Sequence, residues 1–319
     1  MSTASNVVPG DSAPATPPDA SGLRTRQGNV RVYASALLRD RVTLAALLFL
    51  IALMLAALLA PLIAPFDPEE QSLMLRNQPP MTEAADGGSI PHLLGADQLG
   101  RDLLSRLIHG ARISLAVGFA GAIFSGIFGV LLGLIAGYYR GVVDDIIMRL
   151  VDTQMGFPSL LTALLVLYVL GPGVWKVILV LGVTRWMVFA RVTRSLVLSH
   201  REEVFVEAAR TIGCSDRRIL FKHILPNLLS PIFVLVTLEV ATMILTEASL
   251  SFLGLGIRPP QSSWGLMLAQ GRAYVTTAWW LVTFPGLAIL FTALSLNLVA
   301  TWVRAVTDPI TRWRYLGPQ

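Results

Sequence analysis

Cysteine, lysine and histidine are scarce in this 319-residue chain, and each scarcity excludes a class of chemistry. The single cysteine, Cys214, can form neither an internal disulfide nor a cysteine-based metal site. Neither of the two lysines, Lys176 and Lys222, follows a glycine, so the phosphate-binding pattern Gly-x-x-x-x-Gly-Lys-Ser/Thr is absent. If this protein uses ATP, another polypeptide must bind it. The four histidines are scattered, and the sequence predicts no metal site, no bound cofactor and no catalytic residue.

Charge is also scarce, which argues against a soluble globular protein. Of all residues, 14 % are charged and 54 % are hydrophobic, and the mean hydropathy is +0.64. Uncharged runs at 42–64, 113–139, 153–175 and 273–303 each exceed the about 20 apolar residues that cross a bilayer. Two weaker spans that contain charges lie at 174–190 and 228–250. The sequence therefore predicts an all-α integral membrane protein with six transmembrane helices.

The spans divide the chain into five parts. We expect a disordered or partly helical cytoplasmic tail at 1–41, a first transmembrane helix at 42–64 and an external segment at 65–112. A five-helix core follows at 113–304, and a second cytoplasmic tail at 305–319. Most of the 25 Lys and Arg residues lie beside span ends that the positive-inside rule places in the cytoplasm. The net charge of +5 thus reflects membrane topology, and we do not expect nucleic-acid binding.

A charged insertion at 202–226 interrupts the apolar chain on the expected cytoplasmic side. Within it, Val204, Ala208 and Ile212 recur every four residues and form one stripe of a short amphipathic helix. Phe205 and Ala209 lie beside this stripe. The charged residues of the other faces are Glu203, Glu207 and Arg210.

The end of this short helix is also marked in the sequence. Gly213 is expected to stop it in a left-handed conformation, which glycine tolerates best. Ser215 or Asp216 can cap the next helix, and Pro226 is expected to close the segment.

The same insertion resembles the EAA motif of permease subunits of ABC importers, which reads Glu-Ala-Ala, three residues, Gly, nine residues, Ile, any residue, Leu-Pro. The matching positions are Glu207, Ala208, Ala209, Gly213, Leu225 and Pro226. His223 departs from the pattern, because it stands where the family has Ile. The resemblance implies a type I ABC importer permease fold in which this helix is a coupling helix that docks on an ATPase subunit.

The resemblance also implies roles and partners. Glu207 would orient the docking helix, Ala208 and Ala209 would permit close contact, and Gly213 would form its turn. The residues assigned to ATPase coupling are Val204, Phe205, Glu207, Ala208, Ala209, Arg210, Ile212, Gly213, Leu225 and Pro226. The implied partners are a second permease subunit in a heterodimer, two ATP-binding subunits that carry ATP and magnesium, and an external solute-binding protein. The implied location is the bacterial cytoplasmic (inner) membrane, with both termini in the cytoplasm.

Two outer passages narrow the resemblance to the dipeptide, oligopeptide and nickel branch, and within it to the C-type permease. The first, at 91–102, leads into an amphipathic helix at 103–108 that we expect at the outer membrane surface; Asp97 is interpreted as a turn residue and Asp102 as a helix N-terminal anion. The second, at 250–265, is interpreted as an external lid or partly inserted loop. The implied cargo is a di- or oligopeptide, with nickel or glutathione as alternatives.

Glu239 is the sharpest candidate within the spans, since a carboxylate in mid-membrane is costly and needs a partner or water. With it, a polar strip is formed by Thr242, Met243 and Thr246. This strip either lines the translocation path and attracts the amine of a peptide, or Glu239 makes an interhelical hydrogen bond. For Glu247 we favour a structural hydrogen bond, and for Arg185 an extension towards water at the inner boundary. A different class of function would make Glu239 the proton site of a stand-alone proton-coupled carrier.

Three glycines in the second span, Gly129, Gly133 and Gly137, recur every four residues. Such a face allows a second helix to approach closely. We therefore assign these glycines to helix packing in preference to substrate contact.

Overall fold

The computed structural model describes residues 36–83 and 90–307; the sequence beyond these ranges, which holds most of both predicted tails, lies outside the described residues. The longer helices in the described part are, in chain order, α1 (Arg41–Leu58), α2 (Leu103–Tyr139), α3 (Gly141–Met155), α4 (Ser159–Leu170), α5 (Val174–His200), α6 (Val204–Thr211), α7 (Leu225–Phe252), α8 (Trp264–Gly271) and α9 (Trp280–Thr307). Short helical turns lie at Ala60–Ile63, Leu73–Leu75, Asp216–Arg218 and Arg272–Tyr274, and a π-helix at Ile219–Ile224. The predicted all-α class is confirmed.

The number of membrane spans differs from the prediction when it is judged by length and composition. Four helical stretches of the described chain qualify, which are α1, α2, the stretch from Asp216 to the end of α7, and α9. The pair α3 and α4 qualifies as one span bent by 87°. The remaining predicted span, at 174–190, lies in α5, which has 27 residues but is less apolar than the helices that qualify. The charges that α5 carries along its length are Lys176, Arg185, Arg191 and Arg194.

The expected surface helix at 103–108 is not a separate element, because it forms the first turns of α2. Asp102 caps this helix as predicted, since its side chain accepts a hydrogen bond from the backbone N–H of Ser105 at 2.7 Å. Asp102 also bonds to Nδ1 of His92 at 2.8 Å. Leu103 and Arg106 are buried rather than facing a membrane surface. Since the segment contains no proline, the helix continues from the external end to Tyr139.

The inner connection after α2 is largely helical. Residues 141–155 form α3, and the chain then bends at Gly156–Pro158 before α4 begins. Pro158 precedes the first residue of α4, a position where proline costs no backbone hydrogen bond. Asp144 of α3 is bonded to Arg194 of α5 through both carboxylate oxygens. This ion pair attaches α3 to the bundle.

The glycine face of α2 packs directly on α5, which confirms the packing interpretation. A Cβ atom at Gly129 would lie 2.3 Å from the carbonyl oxygen of Trp186, and one at Gly133 would lie 2.5 Å from that of Ala190. At Gly137 the nearest atom would be in the Val197 side chain, at 2.7 Å. The backbones of α2 and α5 therefore touch over two helical turns, and the two helices form one packed unit.

At the end of the bundle that is predicted to be external, Asp97 joins three parts of the chain. Its Oδ1 accepts hydrogen bonds from the backbone N–H of Leu99 at 2.8 Å and of Arg101 at 3.0 Å, as expected of a turn residue. Its other oxygen accepts from Nε of Arg101 at 2.8 Å and from the guanidinium of Arg106. Arg106 in turn donates to Oε1 of Gln270 in α8 at 3.0 Å. A buried ion pair thus holds the external segment on α2, and a charge-assisted hydrogen bond holds α2 on α8.

Candidate functional site

The short helix predicted in the insertion exists as α6, and its two faces have different surroundings. Val206 is fully buried and Ala209 is 5 % exposed, and both belong to an apolar cluster with residues of α2, α5 and the π-helix. The predicted stripe faces outward. Val204 and Ile212 are each 79 % exposed and Phe205 is 40 % exposed, while Ala208 beside them is also exposed. Four apolar side chains therefore form an uncovered surface on this chain, which we call the α6 stripe (Val204, Phe205, Ala208, Ile212).

The end of α6 is built as the sequence predicts. Gly213 has φ +81°, in the left-handed region. Its N–H donates to the carbonyl of Arg210 at 3.0 Å, and the N–H of Cys214 donates to that of Ala209 at 3.0 Å. This pair of bonds is the Schellman motif, which satisfies carbonyls at a helix end. Ile212 lies just after the last helical residue and extends the stripe to the turn.

The segment that leads from α6 back to the bundle does not end at Pro226 as expected, because helical structure continues through this residue. Pro226 lies in the first turn of α7, where its missing N–H is no loss, and helical structure runs into it from Asp216. Ser215 occupies the N-cap position before this turn, but its side chain makes no capping hydrogen bond. His223 is half-buried, and its carbonyl accepts a bond from Nδ2 of Asn227 at 2.7 Å. The segment is packed although His223 stands where the family has Ile, because the adjacent Ile224 is fully buried.

Tyr138, in the last turn of α2, contacts three segments around α6. Its hydroxyl donates to Oδ1 of Asp216 at 2.6 Å, and its carbonyl accepts from Nη1 of Arg201 at 2.5 Å. The guanidinium groups of Arg201 and Arg210 each lie 5.8 Å from the centre of its ring. We call this set (Tyr138, Arg201, Arg210, Asp216) the inner junction.

Glu239 does form an interhelical bond, and its partner is Arg185. Nε of Arg185 donates to one carboxylate oxygen at 2.8 Å and Nη2 to the other at 2.7 Å, so the pair is bidentate. The side chains are 21 % exposed for Arg185 and 7 % for Glu239. The expectation that Arg185 extends towards water at the inner boundary is therefore wrong. An opposite charge within the adjoining span attracts it more strongly than solvent at a distance.

The rest of the polar strip is less open than predicted. The hydroxyls of Thr242 and Thr246 donate to carbonyls within their own helix, at 3.1 Å and 2.7 Å, and both residues are half-buried. Met243 is fully buried and packs on α2, where a Cβ at Gly121 would lie 2.6 Å from its sulfur. Among the described residues, the Met243 side chain is therefore covered on all sides.

Glu247 makes structural hydrogen bonds, as its place in the sequence predicts. Its Oε1 accepts from the hydroxyls of Ser251 at 2.7 Å and Ser263 at 2.9 Å. The segment expected to form a lid is thereby held on the bundle. Trp264, at its end, is 1 % exposed, and its indole N–H donates to the carbonyl of Leu107 at 3.0 Å.

Two features were not predicted from the sequence, the inner junction and the identity of Arg185 as the partner of Glu239. The pair had a usable signal, since two opposite charges in neighbouring apolar spans favour each other as partners. The inner junction had no such signal in the sequence. Its members are distant from one another in the chain, and tyrosine, arginine and aspartate are common residues in polar loops. Within 36–83 and 90–307, no group of three or more His, Cys, Asp or Glu residues could hold a metal ion.

Comparisons with known proteins agree on one family. Residues 129–313 match the model of the binding-protein-dependent transport system inner membrane component, and residues 33–80 match that of the N-terminal transmembrane domain of oligopeptide transport permease C. The chain is 40 % identical over 270 residues to a di/tripeptide transport system permease protein of Pseudomonas aeruginosa, covering 85 % of this chain and 88 % of that protein. It is 40 % identical over 271 residues to the dipeptide permease of Haemophilus influenzae, covering 85 % and 91 % of the two chains.

Two further matches extend the comparison. A glutathione transport system permease protein of Pectobacterium atrosepticum is 39 % identical over 279 residues, covering 88 % of this chain and 90 % of that one. The fold is shared with a chain of the MetNI methionine ABC transporter in an inward-facing conformation, with TM-score 0.51, 18 % identity and coverage of 64 % of this chain and 97 % of that chain.

These matches overturn the alternative of a stand-alone proton-coupled carrier, since the related proteins are permeases of ABC transport systems. The predicted resemblance to the dipeptide and oligopeptide C-type permeases is confirmed. This chain, a multi-pass inner-membrane protein, belongs to the family of binding-protein-dependent transport system inner membrane components, the permease subunits of ABC transporters.

Proposed function

We propose that this chain is one of two different permease subunits of an ATP-driven importer of di- and oligopeptides. Together the two permeases form the translocation path. Two ATPase subunits bind ATP and magnesium, and an external solute-binding protein delivers the peptide. Both termini of this chain lie in the cytoplasm, and the chain performs no covalent chemistry. The lack of a phosphate-binding loop in its sequence supports the assignment of ATP to other subunits.

The α6 stripe is the observation that carries this proposal. A short amphipathic helix that presents apolar side chains at i, i+1, i+4 and i+8 can bind with this face in an apolar groove of a partner protein. Its opposite face is fixed by the buried Val206 and Ala209, so the stripe is presented on a supported helix. The stripe docks in a groove of the ATPase subunit. Exposed Ala208 permits close approach there, whereas the small size of Ala209 serves packing inside this chain.

The position of α6 explains how docking would move the membrane helices. It follows α5 directly and is joined to α7 through the π-helix. The Arg185–Glu239 pair links α5 to α7 within the membrane. When the ATPase pair closes on ATP, displacement of α6 tilts α5 and α7 together and changes the side to which the central cavity opens.

Part of the polar strip is retained as a proposal for the path. Thr242 and Thr246 are half-buried and are our candidates for contact with the moving peptide. Glu239 would meet the peptide amine only where its bond to Arg185 opens. Met243 is not retained, because it is buried against α2.

The peptide assignment is supported by the named activities of the relatives in P. aeruginosa and H. influenzae. Glutathione is the second candidate, since the P. atrosepticum permease is similar to nearly the same degree. The two are separated by measuring thermal shifts of the associated solute-binding protein with an alanine dipeptide, an alanine tripeptide and glutathione. Stabilisation by glutathione alone would replace the peptide assignment.

Docking is tested by replacing the stripe without touching the fold. In the double variant Val204→Gln/Ile212→Gln, both changed side chains are largely exposed, so this chain should fold normally. We expect the ATPase subunit to be lost on copurification in detergent and ATP-dependent uptake to stop. Glu203→Gln is the matched control, because Glu203 is exposed at the start of α6, lies outside the stripe and makes no capping bond. Retention of the ATPase by the double variant would contradict the proposed docking surface.

A further inference from the structure

The contacts that Tyr138 makes in the inner junction are not explained by the docking of α6 alone. Tyr138 belongs to α2, which is separate in sequence from the docking segment, yet it is 5 % exposed and shares an apolar cluster with Val206 and Ala209 of α6. Any part that Tyr138 plays in transport rests on the proposed role of α6 in coupling.

The contacts of Tyr138 are directional and reach both sides of α6. On one side, its hydroxyl donates to Asp216, which begins the return to α7. On the other, Arg201, the residue that ends α5, donates to its carbonyl. Arg210, in the last turn of α6 itself, lies over its ring. One residue thus contacts the start, the body and the end of the docking segment.

The helix that carries Tyr138 is well placed to receive force. Because α2 and α5 touch through Gly129, Gly133 and Gly137, a displacement at the inner end of α2 moves both helices. α2 also extends to Arg106 at the external end, where the Asp97 contacts bind it to the external segment and α8. A push on Tyr138 is therefore applied to a continuous helix that runs the full height of the bundle.

We propose that Tyr138 is the positioning residue that transmits the displacement of α6 to α2, through its hydroxyl bond to Asp216 and its contact with Arg210. Without this link, docking of the ATPase moves α5 and α7, while α2 follows only through its packing on α5 and the Arg201 bond to the Tyr138 carbonyl. The bond is local and oriented, so its loss uncouples motion more than it unfolds the chain. Because Asp216 is exposed to water, the net contribution of this bond is that of an ordinary hydrogen bond.

The neighbouring tyrosine provides a matched control. Tyr139 is 50 % exposed, and its hydroxyl makes no hydrogen bond among the described residues. Its ring touches that of Tyr138 edge to face, with centroids 5.3 Å apart. Replacement of either tyrosine by Phe removes one oxygen from the same turn of the same helix, but only Tyr138→Phe removes the hydrogen bond to Asp216.

The test uses the whole transporter in proteoliposomes with its solute-binding protein, ATP and a labelled alanine dipeptide. Two quantities are measured: dipeptide taken up per ATP hydrolysed, and the stimulation of ATP hydrolysis by the loaded binding protein. For Tyr138→Phe we expect both to fall about fivefold, the factor that corresponds to a net hydrogen bond of about 1 kcal/mol. Basal hydrolysis and the melting temperature of the complex should stay near wild type. Tyr139→Phe should match wild type in all four quantities.

Variants of Asp216 test whether the effect of Tyr138→Phe comes from the lost hydrogen bond or from a change in the packing of the ring. Asp216→Asn keeps an oxygen that can accept the hydroxyl bond and should retain most coupling, whereas Asp216→Ala should resemble Tyr138→Phe. Combining Tyr138→Phe with Asp216→Ala should be no worse than either alone. Unchanged coupling in Tyr138→Phe, or equal losses in Tyr138→Phe and Tyr139→Phe, would overturn the inference while the proposed function stands. Absence of ATP-dependent uptake in the wild type would instead refute the proposed function, and the inference with it.

Discussion

The Arg185–Glu239 pair gives a prediction whose magnitude follows from its burial and geometry. Replacement of Glu239 by Ala leaves a guanidinium that is 21 % exposed without its two bonds, inside an apolar span. Removing one member of a fully buried pair costs about 3–5 kcal/mol. A charge at the centre of a membrane helix costs about 2.5–3.5 kcal/mol on insertion scales. Because Arg185 retains some exposure, we expect Glu239→Ala to lower the free energy of unfolding by about 2–3 kcal/mol.

Three variants separate the charge from the packing. Glu239→Gln keeps one acceptor for the guanidinium and should cost less than Glu239→Ala. The double variant Arg185→Met/Glu239→Leu removes both charges and replaces them with apolar side chains of similar size, so it should recover most of the loss. Glu247→Gln is the control in the same helix, because Glu247 bonds to hydroxyls and can keep those bonds as an amide.

The measurement is reversible unfolding of the purified chain in mixed micelles with increasing denaturing detergent, followed by circular dichroism. The coupling energy of the double-mutant cycle isolates the pair from its surroundings. A cost below about 0.5 kcal/mol for Glu239→Ala would place the pair among exposed salt bridges and refute the reasoning. So would strict additivity of the single Arg185→Met and Glu239→Leu effects.

Three further predictions concern the backbone and the external end. Gly213 adopts a left-handed φ with open space around it, so Gly213→Asn should retain uptake, Gly213→Ala should lose part of it and Gly213→Val most of it, measured in the same liposomes. Gly133→Ala should lower the yield of folded protein on size-exclusion chromatography, because its Cβ would lie 2.5 Å from the carbonyl oxygen of Ala190. Gly286→Ala, whose nearest neighbour would be 4.0 Å away, should not. Asp97→Asn should weaken the Arg106 contact and make the external segment more sensitive to limited proteolysis, whereas an unchanged digestion pattern would contradict a supporting role for that contact.

Features that depend on neighbouring residues in the chain could be predicted from the sequence. The α6 stripe and the turn at Gly213 follow from a four-residue apolar period and one glycine, and both occur as expected. The glycine face of α2 could be predicted too, since small residues at this spacing serve one physical purpose in a membrane helix.

Features that depend on distant residues could not be predicted in the same way. The orientation of Arg185 was decided by Glu239, 54 residues further along. The opposite charges of the two spans gave a signal for this pair, but the sequence near Arg185 alone predicts that the guanidinium extends towards water. The sequence of the first turns of α2 is amphipathic, and it therefore predicted a helix at the membrane surface. Their polar residues instead meet the external segment and α8, so that polarity reflected internal ionic contacts and not water. The bend between α3 and α4 had a local signal, Gly156 with Pro158, but the helix before it is held by ion pairs to α5.

The outward-facing stripe on α6 also has a consequence for how the subunit is made. Under the proposed function, a newly inserted copy that has not met its ATPase displays Val204, Phe205 and Ile212 to the cytoplasm, close to the charged Glu207 and Arg210. Exposed apolar surface of this kind is what chaperones and proteases recognise in incompletely assembled proteins. Surplus permease should therefore be degraded faster than permease in the full complex, and the cell has a direct means of matching the amounts of the two subunits.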